Sequence, residues 1–149
     1  MFKKNRMGWI IGLLFAAAVA VTYGYKEYNR KPASMATVKA DFTFTAASLL
    51  VAFERDEAKA NQQYLGKVIE VTGPVKSLNT DDKGFYTLVL GDEGTLSSVR
   101  CSVDSNYAEQ AAKIVVGTTV VVRGVCSGFM ADELLGSDVT LVRSAILKK

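Results

Sequence analysis

The sequence predicts a mainly-β protein, in which a five-stranded barrel follows an amphipathic helix and an N-terminal transmembrane helix. Three observations lead to this fold class. Residues 7–25 carry no charge and are mostly apolar, and residues 46–64 repeat apolar side chains at helical spacing. Five alternating segments then follow, separated by polar or glycine-containing turns. The 149 residues suffice for one such domain and its anchor.

The N-terminal segment predicts a membrane anchor. A basic tail, residues 1–6, precedes the apolar segment 7–25. As a helix, the run from Gly8 to Tyr25 would span roughly 27 Å, close to a bilayer core of about 30 Å. A short basic tail favours the cytoplasmic side, so we expect a single-pass protein of a bacterial cell membrane with its domain in the periplasm. The alternative is a signal peptide cleaved near Ala20, which would release a secreted domain.

The charges divide unevenly along the chain. Six basic residues against one glutamate lie before Pro32, a net of +5, and since the whole chain is +3 the remainder carries −2. A mildly acidic domain argues against a nucleic-acid partner, because phosphate contacts need a basic face. We therefore expect two partners: the membrane, through residues 7–25, and a protein or oligosaccharide ligand.

The composition gives little support for catalysis or metal binding. The chain has no histidine, which excludes serine–histidine and cysteine–histidine catalysis and leaves no imidazole ligand. Its two cysteines are too few for a structural zinc site of the usual four ligands. The charged run 54–57 is interpreted as a solvated helix face. We expect a protein that is not an enzyme and uses no cofactor or metal.

Residues 26–44 are predicted to form a linker and residues 45–149 the folded domain. Thr45 is a residue type that caps helices, and the apolar spacing after it predicts one helix from Ala46 to Tyr64. Gly66 then fits a turn that ends this helix. Within the linker, residues 41–44 alternate and suit a short extended segment.

The five strands are predicted at residues 67–75, 85–90, 98–103, 118–126 and 139–146, with a helical turn at 106–113 and a loop at 127–132. Gly73 and Pro74 interrupt the first strand, where a bulge or bend would let it curl around a small barrel. Five strands with a small helix between the third and the fourth are typical of the oligonucleotide/oligosaccharide-binding (OB) fold.

The domain also resembles a known family. The residues that carry the resemblance lie between Thr45 and Ile146, and they include Tyr64, Gly66-Lys67, Val99-Arg100-Cys101, Gly117, Gly124, Cys126 and Gly128. At these positions the sequence is similar to the tRNA_anti-like family of bacterial OB-fold proteins. The resemblance implies a small membrane- or lipid-anchored envelope protein of undetermined activity, and it does not imply tRNA binding. Ser144 departs from the family pattern, because relatives often carry a further cysteine there.

Two cysteines are expected to point into the barrel. Cys101 alternates in phase with Val99 and Val103, and Cys126 lies in phase with the valines of its own strand. Outside the cytoplasm such a pair is permitted to form a disulfide. The alternative is a pair of buried thiols that pack as small apolar groups, and the sequence leaves both open.

A ligand face is predicted on the second and third strands and their neighbouring loops, where OB folds bind. An aromatic ring beside basic side chains could stack on an anionic ligand and neutralise it. Alternation requires one of the two aromatic residues in this set to face the core. The candidate residues are Lys83, Phe85, Tyr86, Arg100 and Arg123.

Together these observations predict a non-catalytic, membrane-anchored OB-fold module on the extracytoplasmic side that binds an oligomeric ligand or a protein partner. One alternative is an OB protein that binds single-stranded nucleic acid. An enzyme comes third, because no acid/base pair or nucleophile constellation stands out.

Overall fold

A computed structural model of the chain describes residues 4–29 and 34–148. They divide after residue 33 into two compact units. In the first unit, helix α1 spans Lys4–Tyr28 and contains the predicted segment 7–25. Its stretch Ile10–Tyr28 is apolar and long enough to cross a membrane, a property that signal sequences share. The start of the predicted basic tail, residues 1–3, and part of the predicted linker, residues 30–33, lie outside the described residues.

The second unit is the β domain. Its strands are β1 (Phe42–Thr45), β2 (Val68–Thr80), β3 (Tyr86–Leu90), β4 (Ser98–Val103), β5 (Thr119–Asp132) and β6 (Gly136–Lys148). Its helices are α2 (Ala46–Arg55), α3 (Glu57–Tyr64) and α4 (Ala108–Ala111), and a 3₁₀ turn at Ser105–Tyr107 precedes α4.

Five of the strands close into a barrel, as the sequence predicts. The order is β2-β3-β4-β6-β5, and β5 pairs back with β2 to complete the circle. Only β4 and β6 run parallel within this barrel; the other neighbours are antiparallel. The short β1 lies parallel to β2 alongside its first half, where Phe42 pairs with Ile69 and Phe44 with Val71. The small helix after β4 completes the OB arrangement.

The core fills the barrel with alternate residues of every barrel strand. In β2 the residues Ile69, Val71 and Val75 are buried, which follows from the two-residue period of a strand. Helix α2 adds the fully buried Leu49 and Phe53 to the same cluster. Together with β1, these contacts join the helical segment and the barrel into one hydrophobic core.

The predicted single helix over 46–64 is wrong, because the structure breaks it at Asp56. Thr45 caps α2 as expected, in a reciprocal pair of hydrogen bonds with Ser48. Asp56 has an extended backbone and caps α3 through its carboxylate, which accepts the N–H of Lys59 at 3.0 Å. The break lets Tyr64 pack edge-on against Phe42, with ring centroids 5.0 Å apart.

Gly73 does not provide the predicted bend. It pairs regularly with Val120, and the irregularity in β2 lies further on, between Val75 and Ser77. A Cβ on Gly73 would lie 2.9 Å from the Cβ of Ala46, at the start of α2. The glycine is therefore needed because the helix approaches the strand closely.

Two predicted boundaries also change. The predicted loop 127–132 belongs to β5, which forms a hairpin with β6 that closes where Asp132 pairs with Gly136. In this extension, the ring of Phe129 stacks on that of Phe53 in α2, with centroids 5.1 Å apart. This contact favours a strand, although Gly128 and Asp132 are residue types typical of loops. The predicted linker 26–44 is shorter in the structure, since the domain begins at Ser34 and Met35 is buried in it.

We expect Gly73→Ala to destabilise the domain by about 1–3 kcal/mol, because the added methyl must push α2 away from β2. Gly128→Ala is the matched control, since a Cβ there meets nothing within 4 Å. The control should change stability by less than about 1 kcal/mol. Urea unfolding of the full chain, followed by the β-sheet circular dichroism signal, measures both. Equal midpoints for the two variants would contradict the close approach.

Candidate functional site

The structure places the five residues predicted to form a ligand face on several elements and separates Arg123 from Arg100. Lys83 and Phe85 lie in the loop between β2 and β3, Tyr86 begins β3, and Arg100 lies on β4. Arg123 lies on β5, and β6 stands between it and the strand of Arg100. These side chains therefore do not form one continuous surface.

The β2–β3 loop is an ordered turn. One carboxylate oxygen of Asp81 accepts the N–H groups of Lys83 and Phe85, both at 2.9 Å. Gly84 adopts φ 81°, a conformation that favours glycine. The ring of Phe85 is 53% exposed, and within residues 34–148 the ammonium of Lys83 makes no ion pair. The turn thus presents an aromatic ring and a cation two residues apart in the sequence.

Tyr86 is the aromatic residue that faces the core. Its side chain is partly buried and packs against the barrel cluster, whereas its neighbour Phe85 points to solvent. The alternation argument is confirmed for this pair.

Arg100 is exposed but its charge is offset. Its Nε donates to Asp138 Oδ2 at 2.7 Å, and the other oxygen of Asp138 accepts the hydroxyl of Ser98 at 2.5 Å. The arginine side chain is 49% exposed, so the pair contributes little to stability. It does reduce the positive potential of the outer face of β4.

Arg123 holds the start of the domain against the barrel. Its guanidinium pairs with Glu70 Oε2 at 2.5 Å and donates to the carbonyl oxygens of Ala36 and Val38 at 3.2 and 2.6 Å. The side chain is only 17% exposed. Because its donors are already used by the protein, Arg123 serves the structure.

The two cysteines are buried free thiols. Cys101 and Cys126 both pair with Leu141 of β6, from opposite sides. Two strand spacings place their Cα atoms about 8–10 Å apart, beyond the roughly 7 Å that a disulfide tolerates. Burial raises the pKa of Cys101 to about 12 and also raises the pKa of Cys126. Neither sulfur is therefore an accessible thiolate near neutral pH.

One concave surface of the domain was not found from the sequence. A groove of about 420 Å³ lies between α2 and the β3–β4 loop, and we call it the α2 groove. Its lining residues are Thr45, Ala46, Ala47, Leu50, Val51, Glu54, Thr72, Gly73, Pro74, Gly91, Asp92, Thr95, Ser97 and Thr119. Val51, an apolar residue out of phase with the buried positions of α2, is the sequence signal that could have indicated it.

Ser97 links the α2 groove to the β5–β6 hairpin. Its hydroxyl donates to Glu54 Oε1 at 3.1 Å and accepts the N–H of Ser137 at 3.1 Å. Among the described residues, no group of three or more His, Cys, Asp or Glu side chains could hold a metal ion. The concave surface is suited to binding by shape, apolar contact and charge.

Comparison with known proteins identifies the family. The tRNA_anti-like family profile matches residues 1–146, which includes the N-terminal helix as well as the domain. The chain belongs to the tRNA_anti-like family. No curated protein sequence matches it.

One of the similar solved structures shares the fold. A lipoprotein from Klebsiella pneumoniae subsp. pneumoniae MGH 78578, provisionally described as nucleic acid-binding, is 20% identical with a TM-score of 0.59, and the match covers 79% of this chain and 100% of that one. An asparaginyl-tRNA synthetase from Pyrococcus horikoshii is 20% identical over 58% of this chain and 21% of its own, with a TM-score of 0.39. An OBody bound to hen egg-white lysozyme is 19% identical over 58% and 87%, with a TM-score of 0.44. At such identities, only the first likeness carries an argument, and it concerns the fold alone.

We expect Arg123→Ala to destabilise the domain by about 2 kcal/mol, because it leaves Glu70 and the carbonyls of residues 36 and 38 without their donor. Arg100→Ala is the control, and an exposed pair should cost less than about 1 kcal/mol. Chemical unfolding of the full chain measures both. Proteolysis at residues 34–38 should accelerate only in Arg123→Ala, and equal protection in both variants would contradict the structural role.

We expect two free thiols in the purified chain without reductant. A thiol reagent should titrate both only after denaturation, because Cys101 and Cys126 are buried and protonated near neutral pH. A count of zero after denaturation, restored to two by reductant, would show a disulfide and would require movement of β6.

Proposed function

We propose that the chain is a non-catalytic, membrane-anchored binding protein whose OB-fold domain lies outside the cytoplasm and binds an oligomeric ligand or a protein partner. Family membership supports an OB-fold binding domain, and α1 is a candidate membrane span. A helix of this length and composition directly before a compact domain suits an anchor that leaves the domain in solution.

The β2–β3 turn is the observation that carries the binding role. OB folds bind through this loop and the neighbouring strands. Here Asp81 orders the backbone of the turn that presents Phe85 and Lys83 to solvent, which lowers the entropic cost of binding. An exposed ring can stack on a planar or sugar-like group, and the ammonium can pair with an anionic one.

The chemistry of the other polar groups supports a role without catalysis. The cysteines are buried with raised pKa values, so they are poor nucleophiles. Arg123 and Glu70 neutralise each other, and so do Arg100 and Asp138. In both pairs the charge of the arginine is offset by a carboxylate of the protein itself.

A second candidate function is single-stranded nucleic-acid binding. Phe85 beside Lys83 would suit base stacking and a phosphate contact, and the Klebsiella lipoprotein is provisionally described as nucleic acid-binding. Against it stand the offset charge of Arg100 and the acidic balance of the residues after Pro32. Strong electrostatic attraction to phosphates would need more unpaired basic groups than this face offers.

Fusions at Lys149 test the placement. Alkaline phosphatase is active only outside the cytoplasm, so we expect a phosphatase fused after Lys149 to be active. Green fluorescent protein that is exported with the domain should not fluoresce. The opposite result, an inactive phosphatase and a fluorescent green fluorescent protein, would contradict the extracytoplasmic placement of the domain.

Titration of the full chain in phosphatidylcholine nanodiscs with oligodeoxythymidylate separates the two candidates. We expect no saturable binding at low salt. Tight binding that weakens at least about tenfold between low and physiological salt, and that Phe85→Ala abolishes, would overturn this ranking in favour of nucleic acid.

A further inference from the structure

We propose that the α2 groove is a docking site for a basic, apolar segment of a protein partner. The inference rests on the binding role proposed above, but it concerns a different surface from the β2–β3 turn. The groove is lined by α2, by β2 near Pro74 and by the β3–β4 loop, whereas Phe85 lies in the β2–β3 turn, directly before β3.

The shape and lining of the groove suit apolar side chains. Ala47, Leu50, Val51 and Pro74 contribute apolar lining, and the volume of about 420 Å³ is within the range of binding clefts. Val51 is exposed although it is β-branched and apolar, so its burial by a partner would remove apolar surface from water.

The charge of the groove selects a cationic occupant. Among the described residues, the charged members of its lining are Glu54 and Asp92, and both are exposed carboxylates. Within residues 34–148, the Asp92 carboxylate makes no hydrogen bond or ion pair. The neighbouring Lys76 does not line the groove, and its ammonium donates to the Thr95 carbonyl. A lysine or arginine that follows an apolar residue into the groove would find an unpaired partner.

The adjacent hairpin tip, residues 132–136, has the same chemistry. Leu134 and Leu135 are 84% and 76% exposed, and a Cβ on Gly136 would collide with Leu96 of the β3–β4 loop, which places the tip against that loop. Asp132 accepts the N–H groups of both leucines at 2.8 Å, and these bonds lower the pKa of its carboxyl. Apolar side chains and fixed negative charge thus continue from the groove onto the tip.

This combination argues against other occupants. Nucleic acids and anionic lipid surfaces are attracted by basic side chains, and the groove offers carboxylates instead. A second copy of the chain in a two-fold contact would bring the same acidic rims together. The groove is also held in shape by the capped start of α2 and by the close packing of Ala46 on Gly73. A preformed site lowers the entropic cost of binding.

The test uses the full chain in phosphatidylcholine nanodiscs and a dye-labelled pentapeptide that alternates lysine and leucine. Matched peptides replace each lysine by glutamate or each leucine by serine, and empty nanodiscs correct for membrane binding. Fluorescence anisotropy should show saturable binding of the lysine–leucine peptide, at least about tenfold tighter than either matched peptide. Val51→Lys, which places a cation in the groove, should weaken that binding about tenfold or more.

Val115→Lys is the matched control, because Val115 is likewise exposed but lies outside the groove lining. It should leave the affinity unchanged. No saturable binding above empty nanodiscs, equal binding of the glutamate peptide, or equal losses in both variants would overturn the docking site. So would a dimer of the full chain that Val51→Lys dissociates, or oligodeoxythymidylate binding that Val51→Lys alone alters.

The two proposals fail separately. Reporter fusions at Lys149 that show a cytoplasmic domain would contradict the proposed extracytoplasmic function without changing the measured affinity for the peptide. If the phosphatase fusion is active but the unaltered chain does not bind the peptide, only the proposal of the docking site is contradicted.

Discussion

The close approach of Ala46 to Gly73 is the contact on which much of the domain depends. Strand β2 closes the barrel through β5 along its first half and pairs with β3 along its second half. Gly73 lies near the change of partners, and only a residue without a Cβ lets α2 lie directly on it. With α2 seated there, Leu49 and Phe53 reach the core. The same placement makes α2 one wall of the α2 groove. The contact between Ala46 and Gly73 therefore determines both the packing of α2 and the shape of the groove.

The ion pairs that two arginines form within the domain determine which charges remain available on its surface. Arg123 is partly buried against Glu70 and binds the backbone at the start of the domain, and Arg100 is paired with Asp138. A guanidinium engaged by protein acceptors has few donors left for a ligand. Lys83 in the β2–β3 turn and the carboxylates Glu54 and Asp92 at the α2 groove keep their charge available. The two surfaces therefore differ in the sign of their charge, which is why we propose different ligands for them.

Membership of the tRNA_anti-like family describes the scaffold, and the side chains decide what it binds. The Klebsiella lipoprotein shares the fold at 20% identity, which leaves most surface positions free to differ. Among residues 34–148, Phe85 in the β2–β3 turn is the one exposed aromatic residue, and the α2 groove combines apolar lining with two carboxylates. These features are the basis for proposing a peptide or protein partner rather than a polyanion.

The sequence by itself determined the fold class, the strand alternation that buries the valines and both cysteines, the Thr45 cap and the left-handed turn at Gly66. Each of these follows from neighbours a few residues apart, where period and backbone preference act directly. Only the tertiary structure decided why residue 73 is glycine and which acceptors Arg123 binds. It also decided that the helix breaks at Asp56, so that Tyr64 contacts Phe42, and that β5 continues to Asp132. These depend on contacts between residues far apart in the chain, such as Ala46 with Gly73 and Val38 with Arg123. Such contacts arise only once barrel closure has set the register between strands.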